Sequence, residues 1–233
     1  MFRTLIAVGF TFIAVLTTGF ARAHSPAEVE RTMQAREKYF QPIDKPAPGF
    51  TLQDADGGRH SLADYRGKVI VLHFIYTACP DVCPLHAERI AEIQSLIAGT
   101  PMKDRVRFIS ITTDPANDTP EILRAYGPAR GLQPGNWTFL TKASAQPEVA
   151  TRKLAESFGH KFIKKDGGYQ LHSVVTHVID GKGRWRANFH GLKFAPVNLV
   201  AFINALTNEG EAPHHEAGQS LWDRVKARLG KIF

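Results

Sequence analysis

The sequence predicts an α/β protein: a mixed sheet covered by helices on both faces. Three observations carry this. Lys68–Tyr76, KVIVLHFIY, is a near-continuous apolar run rich in β-branched and aromatic residues, as a strand buried on both faces requires. Strand-like and helix-like segments alternate on either side of it. Near the end, VVTHVID and RWRANFHG flank Gly181-Lys182-Gly183, which marks a hairpin, and a helical segment follows.

The elements follow in order. Arg3 gives residues 1–23 a short positive start, Thr4 to Phe20 is mostly apolar, and Ala21-Arg22-Ala23 fits a small-x-small cleavage site. This pattern is that of a secretory signal peptide of an exported, periplasmic protein. Its rival is an uncleaved inner-membrane anchor, because the charge-free run is near the length that spans a bilayer. Either way the folded part lies where thiols can be oxidised. Residues 24–49 read as a peripheral helix and a lead-in. Ser25 caps, Pro26 suits the first helical position and Glu28 completes the start. Three prolines in QPIDKPAPGF then end the helix.

Residues 50–209 form the domain. A short strand pair turns at Gly57-Gly58, and the central strand follows. Leu85, Ile90, Ile93, Leu96 and Ile97 recur at helical spacing in the next segment. RVRFISITTD is a strand. DTPEILRAYG is a helix with Thr119 as cap, Pro120 first inside and Gly127 closing it. WTFLT is a strand, SAQPEVATRKLAESFG a helix, then come the hairpin and the last helix, FAPVNLVAFINALTNEG. A thioredoxin-like architecture has this order. Residues 210–233 form a tail in which Leu221, Trp222, Val225 and Leu229 share one side of a helix and Arg224, Lys226, Arg228 and Lys231 mark the other. That helix either packs back on the domain or docks on a partner or an anionic membrane surface.

Composition narrows the function. The net charge is +7, and removing residues 1–23 takes away two arginines and no acid, leaving +5. The positive charges are scattered and form no basic stripe with interleaved aromatics, which argues against a nucleic-acid partner. With 43% hydrophobic residues the chain can bury a real core without depending on disulfides.

Both cysteines of the chain, Cys79 and Cys83, lie in TACPDVCP, on the loop between the central strand and the next helix. A staple is a poor reading: so short a loop stabilises by roughly 2 kcal/mol, against about 4.7 for a 100-residue loop. A redox pair benefits from the helix N-terminus, which favours a thiolate. The spacing, however, is C-x-x-x-C and not the C-x-x-C of thioredoxin-like oxidoreductases, and it is one residue short of the peroxiredoxin T-x-x-C neighbourhood. A metal clamp is the third reading. Soft thiolates select Cu(I), Zn or iron–sulfur clusters, and two thiolates leave zinc short of four ligands. Copper(I) accepts two or three, so a third ligand is sought among ten histidines.

TACPDVCP, TTDPANDTPE and LHSVVTHVIDGKG, in that order between Phe50 and Leu206, resemble the Sco/SenC family of copper chaperones for cytochrome c oxidase assembly. That family carries C-P-D-V-C-P, S-x-D-P-x-x-D-T-P-E, and a histidine eight residues before a hairpin aspartate. The hairpin aspartate is Asp180, so the matching histidine is His172. The resemblance therefore implies a thioredoxin-like fold and one copper ion, Cu(I) or Cu(II), held by Cys79, Cys83 and His172. It also implies delivery to the dinuclear copper centre of cytochrome c oxidase or to another copper protein, with thiol reductants keeping the pair reduced. An oxidised Cys79–Cys83 disulfide would block binding. His177, five residues on, competes as ligand but points to the opposite side of its strand. Leu171 stands where the family has Asp or Asn, and Ile75-Tyr76-Thr77 where it has Gly-Tyr-Thr.

The enzyme alternative is a thiol–disulfide reductase, and a copper or redox sensor is a third class. Reductases of this fold keep a proline facing the cysteines, and no proline occurs from Glu148 to Ala195, which favours a ligand at that place. Asp81 either tunes the thiols or solvates the loop. Asp114 and Asp118 read as loop and cap residues, and His73 as a satisfied core histidine. His214 and His215 in the tail, and His24 as a new N-terminus, are weaker copper candidates.

Overall fold

A computed structural model describes residues 25–164, 170–171 and 173–209. The leader 1–23, His24, His172 and the tail 210–233 with His214 and His215 lie outside the described residues.

Helix α1 (Pro26–Arg36) starts as its sequence dictates, with Ser25 Oγ accepting the Glu28 N–H. Strands β1 (Phe40–Pro46), β2 (Thr51–Asp54), β3 (Arg59–Ser61) and β4 (Val69–Ile75) come next. Then follow α2 (Val82–Ala98), β5 (Val106–Thr112), α3 (Pro120–Tyr126), β6 (Trp137–Thr141) and α4 (Ala150–Ser157). The small strands β7 (Ile163–Lys164) and β8 (Gln170–Leu171) precede β9 (Val175–Ile179), β10 (Arg184–His190) and α5 (Pro196–Asn208). Eight strands form one sheet in the order β1-β10-β9-β4-β5-β6-β2-β3. β4, β5 and β6 run parallel, and β9 lies antiparallel to β4. The expected mixed sheet is therefore present, with the all-buried β4 at its centre.

Alternation along β4 divides the core in two. Val69, Val71 and Ile75 pack with Ile90, Ile93 and Ile97 of α2, Leu123 of α3 and Leu199, Phe202 and Ile203 of α5. Ile70, Leu72 and Phe74 pack on the other face with Ala155 of α4, Phe158 and Trp185. Helices thus cover both faces.

Four details differ from the sequence reading. The proline-rich lead-in forms edge strand β1, paired with β10 from Phe40↔Phe189 to Pro46↔Arg184. Its prolines are tolerated because an edge strand has one side free of ladder bonds. α1 is tied in as well: the Glu37 carboxylate accepts Ala195 N–H and Asn198 Nδ2 at the start of α5. Gly127 does not reverse the chain. Its φ is −64°, the path continues through a 3-10 turn at Pro128–Arg130, and Gly131 at φ 83° makes the reversal. Gly127 is needed for space, since a Cβ there would lie 2.1 Å from the Trp137 ring. On α2, Leu85 and Leu96 are exposed, whereas Cys83, His86 and Ala87 take buried positions. Finally, β7 and β8 form a two-stranded hairpin that the sequence reading passes over.

Candidate metal centre

The parallel strands β4 and β5 end together, with Ile75 opposite Thr112. The chain leaves β4 through Tyr76 and Thr77, turns, and enters α2 at Val82. Cys79 lies in this loop, as expected. Cys83 lies inside the first turn of α2, one step further than a pure loop position. A site outside the carboxyl ends of the strands is where open α/β sheets gather functional groups.

Both cysteines are free thiols and both are buried, Cys79 at 7% and Cys83 at 2% exposure. The Cys83 backbone N–H donates to Cys79 Sγ at 3.4 Å, and Cys79 N–H donates to the Tyr76 carbonyl at 3.3 Å. The hydrogen bond from the Cys83 thiol is the chief reason that the Cys79 thiol is pulled down to about 5. Burial opposes this, while the Asp81 and Cys83 backbone N–H groups and the Tyr76 side chain add to it. The helix start therefore contributes as the sequence suggests, but the neighbouring thiol matters more. Cys83 moves the opposite way, because it is the donor in that bond and because it is buried. At neutral pH the pair is one thiolate and one thiol, sharing a proton.

Asp118 is buried beneath this loop. Its carboxylate accepts the Thr77 backbone N–H and the hydroxyls of Thr77 and Thr112. Desolvation is the leading influence and raises its pKa, though these donors resist it. Thr119 caps α3 as expected, its side chain accepting Ile122 N–H, so Asp118 is not itself the cap. Asp114 is a turn residue as expected, bonded to Asn117 Nδ2. Asp81 is exposed at the N-cap position of α2 and makes no side-chain cap bond. Spacing along the chain could not show the Thr77–Asp118–Thr112 contact, because only the β4–β5 register brings it together.

The histidines separate by face. His177 lies on the α4 side of the sheet, against Phe74, Phe158 and Trp185. That is the side away from Cys83, which packs in the α2 core. Its Nδ1 meets Asn188 Oδ1 at 2.7 Å and its Nε2 meets His160 Nε2 at 2.9 Å. Because Trp185 Nε1 donates to the same Asn188 oxygen at 2.9 Å, that atom is an acceptor and His177 carries its proton on Nδ1. Its bonds and position give His177 a structural role. His73 is in the core, with Nε2 at 3.1 Å from Ser110 Oγ, but among the described residues its Nδ1 has no hydrogen-bond partner, so it is only half satisfied. Asp180, from which His172 is counted, closes the β9–β10 turn by accepting the Lys182 and Arg184 N–H groups, each at 2.9 Å.

Among the described residues no group of three or more His, Cys, Asp or Glu side chains is arranged to hold a metal. What they hold is a dithiol whose cysteines lie four residues apart across the start of α2, and two soft sulfur donors suit copper(I) better than hard cations.

Fold and site together define a thioredoxin-like protein with a buried dithiol at the start of its first sheet-covering helix. The SCO1/SenC family pattern matches residues 41–208, and the chain belongs to that family. It is 30% identical over 160 residues to the SCO1 protein homolog of Bacillus subtilis, covering 68% of this chain and 81% of that protein. Two solved structures are similar. BsSco, a member of the Sco family of cytochrome c oxidase assembly proteins, has 24% identity and a TM-score of 0.63, covering 72% of this chain and 96% of its own. The copper-bound ScoI of Bradyrhizobium japonicum has 25% identity and a TM-score of 0.57, covering 69% and 99%.

Proposed function

We propose that this protein is an exported copper-binding metallochaperone that carries one copper ion on Cys79, Cys83 and His172 and delivers it to the dinuclear copper centre of cytochrome c oxidase. The observation that carries the reading is the buried pair itself, with the Cys83 backbone N–H at 3.4 Å from Cys79 Sγ and the Cys83 thiol hydrogen-bonded to it. One thiol is already ionised at neutral pH, so metal uptake releases one further proton, from Cys83. Copper is cargo here, held by ligands that soft chemistry favours. Likeness to the copper-bound ScoI supports the metal, and the description of BsSco as an assembly protein of cytochrome c oxidase suggests the recipient. Export rests on the leader pattern of residues 1–23, with the anchor as its alternative. Membrane contact through the basic residues of the 210–233 tail, Arg224, Lys226, Arg228 and Lys231, belongs to the same reading.

Reduced protein titrated with Cu(I) against a chelator tests the core of this. Wild type and His177→Ala should bind one equivalent, and His172→Ala should bind more weakly. Loss of binding in His177→Ala with none in His172→Ala would reject the ligand set, and no stoichiometric binding by wild type would reject the function. The ionised Cys79 also suits a thiol–disulfide reductase. In that case the protein would turn over insulin disulfides and ignore His172→Ala.

A further inference from the structure

Asp118 is 2% exposed, and no Lys, Arg or His is among the described groups that act on its carboxyl. A buried carboxylate without a cation is expensive unless donors surround it. Three donors do. Thr77 N–H lies 3.3 Å from each carboxylate oxygen, the Thr77 hydroxyl bonds Oδ1, and the Thr112 hydroxyl bonds Oδ2. In the last bond the hydroxyl donates because a carboxylate only accepts, and Thr112 Oγ1 in turn accepts the Asp114 N–H at 2.9 Å. The Asp118 backbone is held too, its N–H donating to the Asp114 carbonyl at 3.0 Å.

The placement of those donors is specific. Thr112 is the last residue of β5 and sits opposite Ile75, the last residue of β4. Thr77 is two residues beyond Ile75 and two before Cys79. One carboxylate therefore ties the exit of β4 to the exit of β5, at the entrance of the dithiol loop. On the far side of that loop, Cys83 is fixed by α2.

We propose that Asp118 is a positioning residue for the dithiol: by clamping Thr77 against the end of β5, it holds Cys79 at the distance from Cys83 that suits a bound soft metal and resists closure to the disulfide. This deepens the copper reading and rests on it for the metal, but the redox half stands without copper. The clamp acts through the hydroxyl and backbone N–H of Thr77 and bonds neither sulfur, while the Asp118 charge also adds to the raised pKa of Cys83. When it is released, the loop entrance gains freedom, metal binding must restore the order, and Cys79 reaches Cys83 more easily.

The test uses Asp118→Asn, Thr77→Val and the conservative Thr77→Ser in the otherwise intact protein. Cu(I) affinity is read by chelator competition. The disulfide equilibrium is read in dithiothreitol buffers, where the protein disulfide takes two electrons and one proton, held by Cys83, from dithiothreitol, which becomes its cyclic disulfide and releases its second proton to solvent. Asp118→Asn and Thr77→Val should weaken Cu(I) binding about tenfold and shift the equilibrium about tenfold towards the protein disulfide, roughly 30 mV for this two-electron couple. Thr77→Ser should behave as wild type. If Asp118→Asn does not fold, Thr77→Val against Thr77→Ser decides. Affinity and equilibrium both within twofold of wild type, or equal shifts in Thr77→Ser and Thr77→Val, would overturn the proposal. If wild type took up no Cu(I), the copper function would fall while the dithiothreitol equilibrium still judged the clamp.

Discussion

Acid should destabilise this protein through His73, well before its carboxylates titrate. The ring is wholly buried, and that burial alone pushes its pKa from 6.5 to about 3. In the unfolded chain the imidazole titrates normally, near 6.5. Below that value the unfolded state binds a proton that the folded state refuses, so stability falls as pH falls, until the folded pKa is reached. With about 6.5 and about 3 as the two values, linkage gives a loss of about 2 kcal/mol between pH 7.5 and pH 5 from this residue alone. His177, also lowered by burial and by nearby His160, adds in the same direction. The assay is urea unfolding of wild type and His73→Leu at pH 7.5, 6.5, 5.5 and 5, with a phosphine reductant to keep both thiols free. Leucine conserves volume, removes the unpartnered Nδ1, and leaves Ser110 Oγ its bond from Trp137 Nε1 at 2.9 Å. The variant should match wild type within about 1 kcal/mol at pH 7.5 and exceed it by about 2 kcal/mol at pH 5. Parallel stability curves across the whole range would refute the reasoning, because the proton difference would not reside at His73.

Three further outcomes are expected. Iodoacetamide at pH 6 should label Cys79 before Cys83, as peptide mass analysis would show, because Cys79 titrates at about 5 and Cys83 is raised. Cys83→Ala should slow that labelling, since it deletes the hydrogen bond that most depresses Cys79; labelling of Cys83 first would contradict the assignment. Gly127→Ala drives a methyl to within 2.1 Å of the Trp137 ring, so the urea midpoint should drop by the equivalent of about 1–3 kcal/mol at unchanged slope. Asn188→Leu strands the His177 Nδ1 proton in the core and should cost about 1–3 kcal/mol, whereas unchanged stability would mean that the His160–His177–Asn188 chain contributes nothing.

Much of the architecture was legible because local physics and tertiary packing agree. The apolar run 68–76 has the composition of a doubly buried strand and becomes one, β4. Thr119 and Pro120 start a helix by satisfying and omitting N–H groups, and the structure starts α3 there. Reading failed where the decisive neighbour is distant in sequence. β1 looked like a breaker because its prolines were judged without β10, the partner that makes an edge strand of them. Leu85 and Leu96 fit the helical period, yet α2 is turned so that Cys83, His86 and Ala87 face the core instead.

The candidate site divides in the same way. TACPDVCP by itself determined that the two thiols lie four residues apart between a strand and a helix, because chain connectivity and helix-start chemistry are local. It also determined a soft-donor character, which depends only on residue type. Only the tertiary structure decided that the thiols share a proton unequally, that His177 is enclosed by Phe74, Phe158 and Trp185, and that Asp118 bonds Thr77 at the loop entrance. The contacts of His177 and Asp118 depend on strand register, which sets Ile75 opposite Thr112 and so brings Asp118 within reach of both Thr112 and Thr77, and register is set by the packing of the whole sheet.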